Sequence, residues 1–151
     1  MSKVVPWSDA LNIGIPEIDS QHQGLVDTIN ELWEAIVRKA EESDVARILD
    51  ELQRYVVSHF TAEEALMRVQ GYPRFEEHRE EHRAFQARIA EARQGVATGN
   101  LPELALLHYL TEWLVKHIQA GDRDYADFFE SRRKPRNVLS RFVSALTGSR
   151  A

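Results

Sequence analysis

Apolar residues recur along most of this chain at the three- and four-residue spacing of amphipathic helices. The first such stretch covers about residues 18–40, and its apolar face consists of Leu25, Ile29, Leu32, Trp33 and Ile36. Similar stretches follow at about 44–69, after the turn at 71–73, and from about residue 100. Because the connections between them are short, the pattern predicts an all-α, up-down-up-down four-helix bundle.

Turn and capping residues predict where these helices begin and end. Asp19 or Ser20 would cap the first helix, and Ser43 would cap the second. Gly71 would end the second helix, because glycine readily adopts the left-handed conformation found there. Pro102 suits the first turn of the fourth helix.

Two regions lie outside the predicted bundle. Residues 1–17 contain two prolines and a glycine, which prevent a continuous helix and predict an N-terminal arm. Residues 132–151 carry six basic residues and no acidic one, and their apolar positions recur at helical spacing. We therefore predict a bundle domain over 1–131 and a basic amphipathic C-terminal extension over 132–151.

Composition excludes several classes of function. Outside the extension, 13 basic residues face 24 acidic ones, and a net charge of −11 does not suit a nucleic-acid surface. The absence of cysteine excludes disulfides, iron–sulfur clusters and thiolate zinc sites. Since the chain has no apolar run typical of a signal peptide or a membrane span, we expect a cytoplasmic protein.

Five of the six histidines fall on apolar helix faces, where a core residue is expected, and together they come from all four predicted helices. They are His22, His59, His78, His82 and His117. The sixth, His108, lies nine residues before the last of these, about 180° around the helix. We expect His108 at the surface.

Two carboxylates accompany these histidines. Glu63 follows His59 by four residues, so both lie on one helix face. Asp122 follows His117 by five, which places the two about 140° apart on a regular helix. They can share a site only if the helix loosens near Gly121, through a π-type turn or a helix end.

Seven buried ionisable groups are best explained by metal. A single histidine on an apolar face is usually a hydrogen-bonded core residue, but each unpaired buried charge costs several kcal/mol. Seven donors exceed the four of a structural zinc site. They suit two six-coordinate metals that share both carboxylates and one oxo or hydroxo bridge, with three histidines on one metal and two on the other. The second metal then keeps an open position.

These residues and their spacing resemble the hemerythrin family in its bacterial single-domain form, over roughly residues 5–130. The motifs are Asp19-x-x-His22, His59-Phe60-x-x-Glu63-Glu64, Gly71-Tyr72-Pro73, His78-x-x-x-His82 and His117-x-x-x-x-Asp122. The resemblance implies two non-haem irons with an oxo or hydroxo bridge that bind O2 reversibly, as in an oxygen carrier, store or delivery protein, rather than an enzyme.

The resemblance also implies a role for each residue. The coordinatively full iron would be held by His78, His82 and His117. The iron with the open position would be held by His22 and His59. Both irons would be bridged by Glu63 and Asp122. The residues implied around bound O2 are Leu25, Phe60, Phe85, Trp113, Leu114, Ile118 and Tyr125. A residue of this kind in an apolar stripe is usually an ordinary core residue, and both roles can hold for all seven.

Other functions are weighed against O2 binding. A ferritin-like di-iron oxidase uses Glu-x-x-His pairs, and here only Asp19 precedes a candidate histidine at that spacing. A sensor of O2 or NO, or a docking module, is the other alternative. The extension would bind a membrane surface or a protein partner, or fold back on the acidic bundle. The sequence leaves the oligomeric state open, with a monomer favoured.

Overall fold

The computed structural model describes residues 5–132 and contains the four predicted helices. These are α1 (Pro16–Val37), α2 (Glu42–Gln70), α3 (Phe75–Ala97) and α4 (Leu104–Lys116). The last helix continues through a π-helical turn at His117–Asp122 into a helical segment over 123–132. No strand occurs in the described part of the chain. The prediction of an all-α four-helix bundle is confirmed.

The helices pack as a closed ring around one apolar core. α1 and α3 each contact both α2 and α4. Fully buried side chains from all four helices fill the centre, among them Leu25, Ile48, Ile89 and Leu110. None of the helices within residues 5–132 is long and apolar enough to cross a membrane.

The predicted N-cap of α1 is wrong. The helix begins at Pro16, whose fixed φ suits a first helical turn and whose missing N–H leaves no unpaired donor there. Asp19 lies inside the helix and instead accepts hydrogen bonds from the backbone N–H groups of Ile13 and Gly14, at 2.7 and 3.1 Å. Its carboxylate therefore fixes the turn that leads into α1.

The ends of the other helices agree only in part with the prediction. α2 begins at Glu42, so Ser43 lies in its first turn and is not its cap. Gly71 ends α2 as predicted, with φ of 67°, and the next N–H, of Tyr72, returns to the Met67 carbonyl at 2.9 Å. α4 begins at Leu104, beyond Pro102.

The apolar spacing of the second stretch also predicts Leu66 as a core position, and this prediction is wrong. Leu66 is 41% exposed, whereas the adjacent Met67 is fully buried. Ile48 lies 18 residues earlier, at the same helical angle, and is fully buried. Helical spacing alone therefore does not distinguish the two positions.

The N-terminal arm packs against the bundle. Its residues Val5, Leu11 and Ile13 are buried. The Asn30 side chain accepts a hydrogen bond from the Val5 N–H and donates one to its carbonyl, both at 2.9 Å. From residue 133 onward, the predicted C-terminal extension lies outside the described residues.

Candidate metal centre

The bundle brings the seven candidate ligands together in two overlapping groups of buried side chains. One group contains Glu63, His78, His82, His117 and Asp122, and the other contains His22, His59, Glu63 and Asp122. In each group the donor atoms lie within 4.8 Å of one another. We call these the three-histidine group and the two-histidine group; both carboxylates belong to both.

α2 brings His59 and Glu63 together on a regular helical backbone. His59 and Glu63 are one turn apart, and His59 Nε2 lies 3.2 Å from Glu63 Oε2. The α4 pair needs a different backbone. The π-helical turn at His117–Asp122 turns both side chains into the core, with His117 Nε2 and Asp122 Oδ1 3.1 Å apart. The prediction that the helix loosens here is confirmed, in its π-type form.

Gly121 allows the π-helical turn to pack closely against α3. A Cβ atom at this position would lie 3.3 Å from both His78 Cε1 and Glu81 Oε2, and 3.4 Å from His117 Nδ1. Non-bonded carbon atoms normally lie about 3.5–4.0 Å apart, so a Cβ atom here would be too close to the His78 ring. A larger side chain at this position would push against the histidines.

Each carboxylate presents one oxygen to each group. Glu63 Oε1 lies 2.5 Å from His78 Nε2, while its Oε2 faces His59. Asp122 Oδ1 lies 2.9 Å from His78 Nε2, while its Oδ2 lies 2.9 Å from His22 Nε2. This arrangement suits carboxylates that bridge two metals.

The distances between the donor atoms also fit those between neighbouring ligands of one metal ion. Ligand atoms about 2.1 Å from a metal and at right angles to one another lie about 3.0 Å apart. The Nε2 atoms of His82 and His117 face each other at 3.1 Å.

Several of these buried polar atoms have no hydrogen-bond partner. They are Nε2 of His22 and of His59, Oε2 of Glu63, and both carboxylate oxygens of Asp122. Each such atom costs about 1–3 kcal/mol if it stays unsatisfied. Metal ions would satisfy all of them, so the residues present fit a two-metal centre.

The histidines keep both carboxylates ionised. Burial acts to raise the pKa of Glu63, but the polar contacts of its carboxylate with the surrounding histidines, His59 first, outweigh it and lower this pKa. The pKa of Asp122 is likewise lowered, against burial, chiefly by the charge of His117. In return, burial acts to lower the pKa of His117, but Asp122 outweighs it and raises this pKa to about 10. The carboxylates are thus in the form that binds metal.

Three residues that the sequence analysis did not assign hold the outer nitrogens of the histidine rings. Nδ1 of His59 lies 2.6 Å from Gln21 Oε1, Nδ1 of His82 lies 3.3 Å from Glu64 Oε2, and Nδ1 of His117 lies 2.8 Å from Glu81 Oε2. Such partners fix the ring orientation and leave Nε2 free as a donor. Their only sequence signal is adjacency to a candidate ligand.

Of the residues predicted around O2, Phe60 and Trp113 lie directly against candidate ligands. Phe60 stacks on His82 with ring centroids 3.7 Å apart, and Trp113 stacks on His117 at 4.4 Å. Phe85 in turn stacks on Trp113 at 4.3 Å. Leu25, Leu114 and Ile118 are fully buried.

Tyr125 is buried, but its hydroxyl donates to Gln70 Oε1 at 2.9 Å. Burial raises the pKa of this hydroxyl to about 12, with a smaller contribution from Glu63. His108 is exposed on the outside of α4, as predicted, with its ring against Trp33.

Comparison with known proteins identifies similar chains. The family profile described as Hemerythrin HHE cation binding domain matches residues 13–129. A bacteriohemerythrin of Stenotrophomonas maltophilia (strain R551-3) is 38% identical over 121 residues, which cover 80% of this chain and 78% of that protein. A bacteriohemerythrin of Pseudomonas aeruginosa (strain LESB58) is 38% identical over the same shares of the two chains.

Solved structures agree with the sequence comparisons. A crystal structure of wild-type hemerythrin matches with a TM-score of 0.76 at 28% identity, over 82% of this chain and 96% of that one. A structure of a substituted hemerythrin matches with a TM-score of 0.78 at 26% identity, over 83% of this chain and 97% of that one.

Proposed function

The chain belongs to the hemerythrin family, whose members bind O2 at non-haem iron, and we propose that it binds O2 reversibly at two such irons. The observation that carries the proposal is the pair of overlapping donor groups that share Glu63 and Asp122. In this proposal His78, His82 and His117 hold one iron, and His22 and His59 hold the other. An oxo or hydroxo bridge completes the centre.

The unequal division of the histidines gives the site its open position. With both carboxylates shared, the three-histidine group supplies five donors and the two-histidine group supplies four. A bridging oxygen would bring these numbers to six and five. We therefore propose that O2 binds on the two-histidine side. When bound, the two irons supply the electrons by which O2 is held.

The chain's own contribution is to position these donors and to keep water away. Leu25, Phe60, Leu114 and Ile118 are almost completely buried. A dry, apolar wall of this kind restricts protons and water at the site, which favours release of O2 over its further reduction.

The ligand set favours a carrier over an oxidase. Five neutral imidazoles and two carboxylates stabilise highly oxidised iron less than the carboxylate-rich set of ferritin-like oxidases. We propose O2 storage or delivery as the role, with O2 or NO sensing as the alternative that uses the same site.

The test is reversible oxygenation of iron-loaded protein. Metal-free protein is loaded anaerobically with ferrous iron, its iron content is measured, and its absorption spectrum is followed while O2 is admitted and then removed under argon. We expect two irons per chain and a charge-transfer band that appears and disappears over repeated cycles. His108→Ala, which alters an exposed histidine, should behave like the wild type. One iron per chain, or rapid catalytic oxidation of added ferrous iron, would contradict the proposal.

For the basic extension over 132–151 we propose a role as an anchor to an anionic membrane surface, because its sequence is both basic and amphipathic. Full-length protein and a truncation after Ser131 are compared by co-sedimentation with anionic liposomes at low and moderate salt. Only the full-length protein should sediment. If neither form does, the membrane proposal is wrong. A lower melting temperature of the truncated form would instead assign the extension to the fold.

A further inference from the structure

The two histidine groups differ in what lies beside the outer ring nitrogen of His82 and His117 on one side and of His59 and His22 on the other. In the three-histidine group, Nδ1 of His117 lies 2.8 Å from a carboxylate oxygen of Glu81, and Nδ1 of His82 lies 3.3 Å from one of Glu64. An ionised carboxylate only accepts hydrogen bonds, so Nδ1 is the donor in both contacts. Nε2 of both rings faces the centre, where it would bind a metal in place of a proton.

In the two-histidine group, the corresponding partners carry no charge. Nδ1 of His59 donates to the amide oxygen of Gln21 at 2.6 Å. Nδ1 of His22 is buried and has no hydrogen-bond partner. The asymmetry of the centre therefore extends beyond the ligands, with carboxylates behind two rings of one group and a single neutral amide behind the other.

We propose that Glu81 and Glu64 are positioning residues that strengthen iron binding in the three-histidine group and lower the reduction potential of the iron held there. This inference rests on the proposed function, since it presupposes the two irons. A carboxylate behind an imidazole makes its Nε2 a stronger donor, and a stronger donor stabilises the ferric state more than the ferrous state.

Glu81 should have the larger effect. Its hydrogen bond to His117 is 2.8 Å long, whereas the contact of Glu64 with His82, at 3.3 Å, is beyond the usual range for such bonds. The Glu81 side chain is 51% exposed and that of Glu64 is 21% exposed, so solvent screening weakens the charge of Glu81 more. We expect the shorter hydrogen bond of Glu81 to outweigh this difference. That exposure also means that Glu81 can be substituted without opening the core.

The substitution Glu81→Gln separates charge from hydrogen bonding. Gln21 shows that an amide oxygen in this protein accepts the same bond from a ligand histidine. The variant thus keeps an acceptor and loses the negative charge. Gln21→Glu is the converse change, because it places a carboxylate behind His59. Glu77→Gln is the matched control: Glu77 is exposed, lies one turn before Glu81 on α3, and has no hydrogen bond to a candidate ligand among the described residues.

The experiment measures two properties of fully loaded protein without O2. The first is the rate at which each iron is lost to a chelator, and the second is the midpoint potential of each iron. In Glu81→Gln, we expect one of the two irons to be lost about tenfold faster. For each tenfold loss of ferric over ferrous affinity, its potential should rise by about 59 mV. Glu64→Gln should show a smaller change of the same sign, and Gln21→Glu should slow the loss of the other iron.

Three outcomes would overturn this inference while wild-type protein still holds two irons. Glu81→Gln could match Glu77→Gln in both properties, it could lose both irons equally fast, or it could keep the wild-type potential. A wild-type protein that does not take up two irons would contradict the proposed function instead. Far-ultraviolet circular dichroism of each variant shows that the fold is retained.

Discussion

α2 and the end of α4 each bring one histidine and one carboxylate to the centre, but with different backbones. His59 and Glu63 are four residues apart on a regular helix, with donor atoms at 3.2 Å. His117 and Asp122 are five residues apart on a π-helical turn, with donor atoms at 3.1 Å. The distances are nearly equal although the backbones differ. The five-residue spacing therefore reaches the same geometry only through a local distortion of the helix.

Removing either carboxylate should have the largest effect, and it tests whether the two helices contribute equally. Each of Glu63→Ala and Asp122→Ala removes a donor that both groups share. We expect each variant to lose both irons, as measured by iron content after desalting. If one variant kept both irons, the corresponding carboxylate would not be a bridge, and the equivalence of α2 and α4 would not hold.

Removing one histidine should affect one iron only. In the proposed assignment, His59→Ala leaves His22 as the only histidine of the two-histidine group. We expect about half of the wild-type iron content and no reversible O2 band. His117→Ala is the counterpart on α4, and it should retain more iron because two histidines remain in its group. Equal iron loss in the two variants would argue against the three-and-two division.

How much of this site is predictable from sequence differs between the two helices. The four-residue spacing of His59 and Glu63 places them on one face by helical geometry alone. For His117 and Asp122, the same geometry predicts a conflict, because both side chains needed to be buried. That conflict left a π-type turn and a helix end as alternatives, and only the structure distinguishes them.

Other features could not be predicted, for identifiable physical reasons. α1 starts at Pro16 without a side-chain cap, so the usual polar signal is absent and Asp19 was misassigned. Glu81 and Gln21 occupy half-buried or exposed helix positions, where such residues are common, and nothing in the spacing links them to a histidine on another helix. Contacts between helices depend on packing, which periodicity does not specify.

A bulky substitution in the π-helical turn tests how closely α4 is constrained. Gly121→Val would add side-chain atoms where even a Cβ alone would lie 3.3 Å from His78 and Glu81. We expect a loss of about 1–3 kcal/mol in the free energy of unfolding, measured by urea denaturation, and faster iron release. The matched change on α2 is Ala62→Val, at an exposed position between His59 and Glu63. It should stay within about 0.5 kcal/mol of the wild type. Similar losses in both variants would remove the distinction between the two backbones.

The smallest effect is expected for Gly121→Ala, because two contributions oppose each other. Alanine favours a helical backbone by about 1 kcal/mol over glycine. Against this, the new methyl group lies 3.3 Å from Glu81 Oε2, which can move because the side chain is half exposed, and from His78 Cε1, which is buried beside both carboxylates. We expect an unfolding free energy within about 1 kcal/mol of the wild type, with iron lost faster from the three-histidine group alone. Chelator kinetics distinguish this result from a general loss of stability. Faster loss of iron from the two-histidine group would show that Gly121 acts through the whole bundle and not through its contact with His78.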